Sequence, residues 1–364
     1  MTRTCKAEDI VRRFALPSPV KEILPWGQGH INDTYRVELE GGDYYILQRI
    51  NPLVFREPYR VLENFSAVTT YLRQRIREEG GEEQRQTLHL LKAKNGRLGA
   101  QTGSTYWRMY SYIGSCYTLQ KVTGIEDFAQ AAKGFGHFLR LLQDFPAEDL
   151  YEVIPNFHHT PKRFAQLHAA MDRDPLGRGK DAQEEMEQAL AMEEDGAHLM
   201  KGWKAGKLPV RVTHNDTKIN NILFDETSRQ ALCVIDLDTI MPGLVAFDFG
   251  DAIRMGASSG AEDEPNLQKV RFQKEYYRAF LEAYLEETGS FLCEEERRSL
   301  AWGSYLMTLE CGIRFLADYL DGDHYFKCQR PGQNLDRART QLKLAGEIRR
   351  SLPDLQAMLE TIES

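Results

Sequence analysis

The sequence predicts an α+β chain of two lobes: an N-terminal lobe with an antiparallel sheet plus a helix, and a larger, mainly helical C-terminal lobe. Three observations carry that expectation. Between Val20 and Ile113, short runs alternate apolar and polar residues and are punctuated by glycine turns, the pattern of paired strands. From Ile125 onward, apolar residues recur at helical spacing instead. Within that helical part lie two brief apolar runs, Ile222 to Phe224 and Leu232 to Leu237, joined by the polar turn Asp225-Glu226-Thr227-Ser228-Arg229-Gln230, which reads as a hairpin. The expected lobes are residues 1–113 and 114–364, with Gly114-Ser115 as the hinge.

A chain of 364 residues is long enough for two domains, or one large two-lobed unit, with a sizeable core. Its formal net charge of -8 argues against nucleic acid or an anionic membrane as the main partner, because neither attracts an acidic protein that lacks a concentrated basic patch. The N-terminal stretch carries charges where a signal peptide needs an apolar core, and no apolar run approaches membrane-spanning length, so a cytoplasmic protein is expected. The six cysteines (Cys5, Cys116, Cys233, Cys293, Cys311, Cys328) are scattered with no Cys-x-x-Cys pair, which points to reduced thiols rather than a zinc site or a disulfide framework.

In chain order, Ile23 to Leu39 predicts a strand, a tight loop at Gly27-Gln28-Gly29 and a second strand. Glycines there let backbone N–H groups approach phosphates closely. The turn Gly41-Gly42-Asp43 leads into Tyr44 to Asn51, the strand on which kinases carry the lysine that pairs the nucleotide phosphates. No lysine stands there. Gln48 or Arg49 takes that role, or this strand does not supply it; alternation puts the two on opposite faces, so at most one faces a nucleotide. Tyr59 to Arg77 is a predicted helix through Val61, Leu62, Phe65, Val68 and Leu72, with Glu63 a candidate partner for the basic residue on the strand. Leu88 to Leu91 and Thr105 to Ile113 are further strands, joined through Asn95-Gly96-Arg97.

Phe128 to Leu142 reads as a helix that breaks at Phe145-Pro146, and Ile154 to Pro161 as a rigid loop. The paired His158 and His159 in that loop have no nearby Cys or third His, which favours structural or surface roles over a metal site. Asp172 to Lys207 is charged and helix-prone, and a solvated helical hairpin is expected.

His214-Asn215-Asp216 and Asn221 follow the order His-x-Asp-x-x-x-x-Asn of a phosphoryl-transfer loop, and Asp236 closes the strand that comes next. Such transfer requires two tasks side by side. One carboxylate accepts or orients the proton of the attacking hydroxyl, which suits Asp216. A second carboxylate and an amide oxygen hold Mg²⁺ against the phosphates of ATP, which suits Asp236 and Asn221, because Mg²⁺ prefers hard oxygen ligands and dehydrates reluctantly. The letters Asp248-Phe249-Gly250 imitate the kinase metal motif, yet they lie beyond the Pro242-Gly243 turn. Asp248 more plausibly starts a helix, where its carboxylate caps backbone N–H groups and braces the loop, so His214 and Asp248 read as supports rather than reacting groups.

In the last third, Phe272, Tyr276, Phe280 and Tyr284 fall at four-residue steps and form an expected core stripe. Glu310, Arg314 and Asp318 share one helix face. They read either as a surface ion-pair ladder or, with the aromatic-rich turn Tyr319 to Lys327, as the wall of a sugar pocket.

The combination Gly27-x-Gly29, His214-Asn215-Asp216 through Asn221, and Ile235-Asp236 resembles the aminoglycoside phosphotransferase and choline kinase-like superfamily, which shares the protein-kinase fold. Within it, the strings Gly29-His30-Ile31-Asn32, Tyr106-Trp107-Arg108, His214-Asn215-Asp216-Thr217-Lys218, Ile235-Asp236-Leu237-Asp238-Thr239 and Gly312 to Lys327 are similar to those of the N-acetylhexosamine 1-kinases. The likeness spans most of the chain, is specific in the catalytic block, and is loose through Asp172 to Lys207. It implies a bilobal protein-kinase-like fold, ATP and Mg²⁺ as cofactors, and transfer of the γ-phosphoryl group to the anomeric (C1) hydroxyl of N-acetylglucosamine or N-acetylgalactosamine. It further implies Asp216 as the base, Asn221 and Asp236 as Mg²⁺ ligands, and Arg314 and Tyr325 at the sugar; Gly27, Gly29 and Asn32, with either Gln48 or Arg49, are the candidate nucleotide contacts. The absent strand lysine departs from the broader pattern and bears on phosphate pairing rather than on the chemistry.

Two readings of other kinds stand beside this one: a kinase of another small alcohol (a different sugar, an aminoglycoside, a choline-like acceptor), and a non-catalytic nucleotide-binding regulator. A cationic acceptor would need a strongly acidic pocket, so a neutral pocket framed by Arg314 counts against it. The joint presence of Asp216, Asn221 and Asp236 weighs against a regulator, which has no need of a base.

Overall fold

The structure is a computed structural model and describes residues 7–27 and 32–363. The predicted glycine loop is thus seen at Gly27, while Gly29 lies outside the described residues. By packing, the chain divides into two compact units. One comprises residues 1–118, 141–155 and 221–242, the other 119–140, 156–220 and 243–364. Two segments expected within 114–364 therefore pack with the N-terminal strands.

The first unit is an antiparallel sheet in the order Val20–Pro25, Asp33–Leu39, Tyr44–Ile50, Thr105–Ser111, Leu90–Leu91, with the short strand Ala100–Thr102 also pairing to Thr105–Ser111. One face buries Val37, Leu39, Leu47, Trp107 and Met109 against Ile10, Val11 and Phe14. The helix Pro58–Glu78 begins with proline in its first turn, where the missing N–H costs nothing. It buries Val61, Leu62, Phe65, Val68 and Leu72, the apolar stripe read from the sequence, and extends it to Ile76. Each such side chain contributes about 1.5–3 kcal/mol by leaving water. On the same helix Asn64 is buried, and its amide explains why the late segments belong here: Nδ2 donates to the carbonyls of Tyr151 and Ile240, both at 2.8 Å, and Oδ1 accepts from Tyr151 N at 2.9 Å. A second, three-stranded antiparallel sheet joins Ala231–Val234, Ile222–Asp225 and Cys116–Tyr117.

The second unit is helical. Its centre is the 28-residue helix Glu294–Asp321, against which pack Val245–Gly256, Gln333–Glu363 and Thr160–Arg173. The aromatic stripe of Lys274–Thr288 is formed by Tyr277, Phe280 and Tyr284, each set edge-on to Phe249. Phe272 precedes the helix and Tyr276 is half-buried, so both fall off the stripe. The charged stretch 172–207 is also less solvated than its composition suggests. It buries Ala182, Ala189, Met192, Leu199 and Met200, and it ties down two of its carboxylates, Glu185 to Arg339 and Asp195 to Tyr305 and Arg349. Among the described residues no helix is long and apolar enough to cross a membrane.

Candidate active site

In the helical unit, the loop after the strand Arg211–Thr213 is folded by its own polar side chains. Asn215 takes φ +63°, a left-handed conformation that asparagine tolerates better than most residues, and its amide bonds back to Thr213 Oγ1 and Thr213 O, both at 3.1 Å. Asp248, in the first turn of Val245–Gly256, accepts His214 N on Oδ2 at 2.8 Å and Asn215 N on Oδ1 at 2.7 Å. Its carboxylate therefore serves the N–H groups of the loop; the start of its own helix, at Leu244, has no side-chain cap. Burial pushes the Asp248 carboxyl up, against the pull of His214 and the two backbone donors. Thr217 Oγ1 donates to the Asp248 carbonyl and closes the bracket from the other side of Asp216.

His214 is fully buried, edge-on to Phe135 and Phe138 at centroid distances of 6.0 and 6.2 Å, and its Nδ1 accepts Asp216 N at 3.3 Å. Asp216 is half-buried and pairs with Lys218, Nζ to Oδ1 at 2.8 Å. Burial alone would push the Asp216 carboxyl up. The ammonium of Lys218 more than offsets it, with smaller help from His214 and Arg254, and holds the carboxyl below its usual range; Lys218 is raised in turn. A carboxylate kept ionised in this way suits a group that accepts a proton.

The same helical unit gathers Arg314 and Tyr325. The Arg314 guanidinium lies 5.2 Å from the ring centroid of Phe157, 5.5 Å from that of Phe326 and 5.9 Å from that of Tyr325. The turn carrying the two last rings is shaped by Asp318, which accepts the backbone N–H groups of His324, Tyr325 and Phe326 at 3.0, 2.8 and 2.9 Å. Glu310 is buried and holds His158 Nδ1 at 2.9 Å and Thr160 Oγ1 at 3.0 Å, while His158 Nε2 faces Asn215 O at 3.3 Å. The face shared by Glu310, Arg314 and Asp318 is thus no ion-pair ladder, because each side chain serves a different partner.

In the other unit, the two candidates for the strand cation part company. Arg49 lies at the surface and pairs with Asp33. Glu63, the candidate partner, forms no ion pair among the described residues; its neighbour Asn64 is the one that turns inward. Gln48 sits inside, opposite Arg108 on the adjacent strand. Its Nε2 donates to Thr34 Oγ1 at 3.0 Å, and its Oε1 accepts Arg108 Nε at 2.9 Å and Nη2 at 2.5 Å. Arg108 is only 1 % exposed and ion-pairs with buried Asp238. Asp238 Oδ2 accepts Asn32 Nδ2 at 2.5 Å, and Asn32 Oδ1 accepts Asn51 N at 2.9 Å. Gly27, at φ +79°, makes the turn into the glycine loop, a conformation costly for residues with a Cβ.

Asp236 does not end a strand. The strand Ala231–Val234 stops two residues earlier, and Asp236 takes φ 59° and ψ 56°, left-handed, at the head of the turn Leu237–Thr239. A non-glycine residue there stores about 1–3 kcal/mol and persists only when its surroundings over-determine it. Its side chain is exposed, whereas Leu237 and Asp238 are buried. Asn221 is buried, and its carbonyl accepts Ile235 N at 2.9 Å, so one backbone bond ties Asn221 to the residue just before Asp236. One carboxylate and one amide make a donor set suited to Mg²⁺, which keeps waters and phosphate oxygens rather than filling its shell with protein.

Four residues of these clusters escape a reading of the letters alone. Lys218 and Asp238 stand two places after Asp216 and Asp236, so spacing was an available signal. Arg108 in the middle of a strand was another, since an arginine there must be paired when both faces of the sheet are covered. His158 had no local signal, because its partners are Glu310 and Asn215.

An antiparallel sheet with its helix, followed by a largely helical remainder, is a kinase-like fold. More particularly, residues 22–290, well over half of the chain, match the phosphotransferase enzyme family APH, and the chain belongs to that family. Solved structures agree in fold. An aminoglycoside phosphotransferase from Alicyclobacillus acidocaldarius subsp. acidocaldarius DSM 446 is similar with a TM-score of 0.62 at 15% identity, over 99% of this chain and 98% of that one. A microcompartment-associated aminopropanol kinase gives 0.56 at 15% identity, over 95% and 96%. A Plasmodium vivax ethanolamine kinase gives 0.55 at 14% identity, over 88% and 82%.

Proposed function

We propose that this phosphotransferase is an ATP- and Mg²⁺-dependent kinase of a small alcohol, and that its acceptor is the anomeric hydroxyl of an N-acetylhexosamine, N-acetylglucosamine or N-acetylgalactosamine. The preference for a neutral over a cationic acceptor is supported by the Arg314 cluster. A guanidinium among the rings of Phe157, Tyr325 and Phe326, with Arg163 close enough for the two cations to repel, is a wall that disfavours a cationic acceptor. A neutral sugar finds there a hydrogen-bond fork and aromatic faces. An amine-bearing acceptor would call for an acidic pocket instead.

Phosphoryl transfer asks the protein chiefly for positioning and charge compensation. Asp216, kept ionised by Lys218, orients the acceptor hydroxyl and takes its proton. Asn221 and Asp236 would hold Mg²⁺, which would supply neutralisation of charge on the phosphates. Gly27, Gly29 and Asn32 lie at the nucleotide, and Gln48 acts there through its neighbours, not through a charge of its own. Nucleotide binding is assigned to 1–113, and catalysis with acceptor binding to 114–364.

The test is a panel of acceptors offered with MgATP: N-acetylglucosamine, N-acetylgalactosamine, glucose, galactose, kanamycin, choline and ethanolamine, with ADP formation as readout. The N-acetylhexosamines are expected to show the highest kcat/KM and the amines to remain at background. Preferential turnover of an amine would sink this reading.

A further inference from the structure

Of the two residues that could stand in for the kinase strand lysine, Gln48 is the one that turns inward, and its amide is spent on Thr34 and Arg108. Arg108 cannot act on a ligand directly. It is buried, its guanidinium is engaged by Gln48 and Asp238, and it lies over Phe65 and Tyr110 at 5.0 and 5.6 Å from the ring centroids. Any influence it has on a bound nucleotide or metal must pass through its partners. The partner that matters is Asp238, two residues beyond Asp236 in the same turn.

That turn is pinned at three points. Ile235 N is bound to Asn221 O, Asp238 is clamped by Arg108 and Asn32, and Ile240 O is held by Asn64. The left-handed Asp236 sits between the first pin and the second. Asn32 links the second pin onward, since its other amide atom holds Asn51 N at the end of the strand that carries Gln48.

We propose that Arg108 is a positioning residue that supplies, from one strand over, the charge that Gln48 lacks. By clamping Asp238 it fixes the left-handed turn that presents Asp236 to the metal, and through Asn32 that turn is tied to Asn51 at the end of the strand bearing Gln48. The inference rests on the reading of Asp236 as a Mg²⁺ ligand given above.

Removing one partner of a buried ion pair strands a charge, whereas replacing both with apolar residues of similar volume is often neutral for stability. The informative variant is therefore the double replacement Arg108→Met with Asp238→Leu. Three quantities are measured: Mn²⁺ binding in the presence of AMP-PNP, followed by the loss of free-Mn²⁺ signal in electron paramagnetic resonance; AMP-PNP binding without metal; and thermal unfolding. The expected result is a folded protein whose Mn²⁺ affinity falls at least about tenfold, as for supports of a metal ligand, with metal-free AMP-PNP affinity unchanged. Unchanged Mn²⁺ affinity in the folded double variant would overturn the positioning role. An equal loss of metal-free AMP-PNP binding would also overturn it, by making Arg108 a phosphate contact. Should the double variant not fold, Asn32→Ala decides instead: a weaker Mn²⁺ affinity at unchanged metal-free AMP-PNP affinity and melting temperature supports the clamp, whereas an unaltered Mn²⁺ affinity, or an equal loss of metal-free AMP-PNP binding, refutes it. A wild-type chain that binds no Mn²⁺ with AMP-PNP overturns the metal reading together with the clamp. Wild-type binding with an unaffected variant overturns the clamp alone.

Discussion

His214 N donates a 2.8 Å hydrogen bond to Asp248 Oδ2, and the other oxygen of the same carboxylate accepts Asn215 N at 2.7 Å. One side chain thus holds both residues that precede Asp216. Asp248→Asn leaves one acceptor oxygen where two are used. Hydrogen bonds to charged groups contribute about 1.5–3 kcal/mol, so kcat should fall roughly 10- to 100-fold while nucleotide binding is unchanged. A kcat equal to wild type would show that the loop is held by other means.

Lys218 sets the pH at which Asp216 is ready. With its carboxyl held below the usual range, Asp216 is ionised throughout neutral and mildly acid solution, and the acid limb of the kcat profile should lie lower than an ordinary carboxylate would place it. Lys218→Met removes the opposing charge and leaves the burial, so that limb should move to higher pH. A limb that stays in place would remove Lys218 from this role.

Glu310 makes the stability of the helix Glu294–Asp321 depend on acid. Burial pushes its carboxyl up, but the hydrogen bond from His158, with the charges of His158, Arg163 and Arg314, more than offsets this and leaves it depressed. A depressed carboxyl stabilises the fold above the ordinary carboxylate range and loses that contribution as pH falls through the depressed value. Glu310→Gln is expected to cost about 3 kcal/mol near neutral pH, as for a buried pair missing one partner. The gap to wild type in urea unfolding should then close in acid. A gap independent of pH would contradict the pairing.

Arg314→Met should raise KM for the acceptor about tenfold or more, the scale of one charged hydrogen bond, and leave KM for ATP alone. Arg314→Lys keeps the charge but not the planar fork, and should recover part of the loss. Equal changes in both KM values would argue for a folding defect instead of an acceptor contact.

What was legible in the sequence was local. The helix Pro58–Glu78 announced itself through apolar residues at three- and four-residue steps, and the loop from His214 to Asn221 through its spacing. The clamp was not legible, because Arg108 and Asp238 stand far apart in the chain and neither pattern nor period links them. Glu310 and Asp318 were placed on one helix face correctly, but their partners come from a distant loop and from a turn whose backbone donors the letters do not show. The apolar run predicts a hairpin strand reaching Leu237, whereas the strand ends at Val234 and Asp236 turns left-handed, a choice that hydrophobicity does not encode.

The central claim is the position of the transferred phosphate. With MgATP and N-acetylglucosamine or N-acetylgalactosamine, the product should show ³¹P–¹H coupling to the anomeric proton, as a sugar 1-phosphate must. Coupling to the methylene protons of the primary hydroxyl would contradict it.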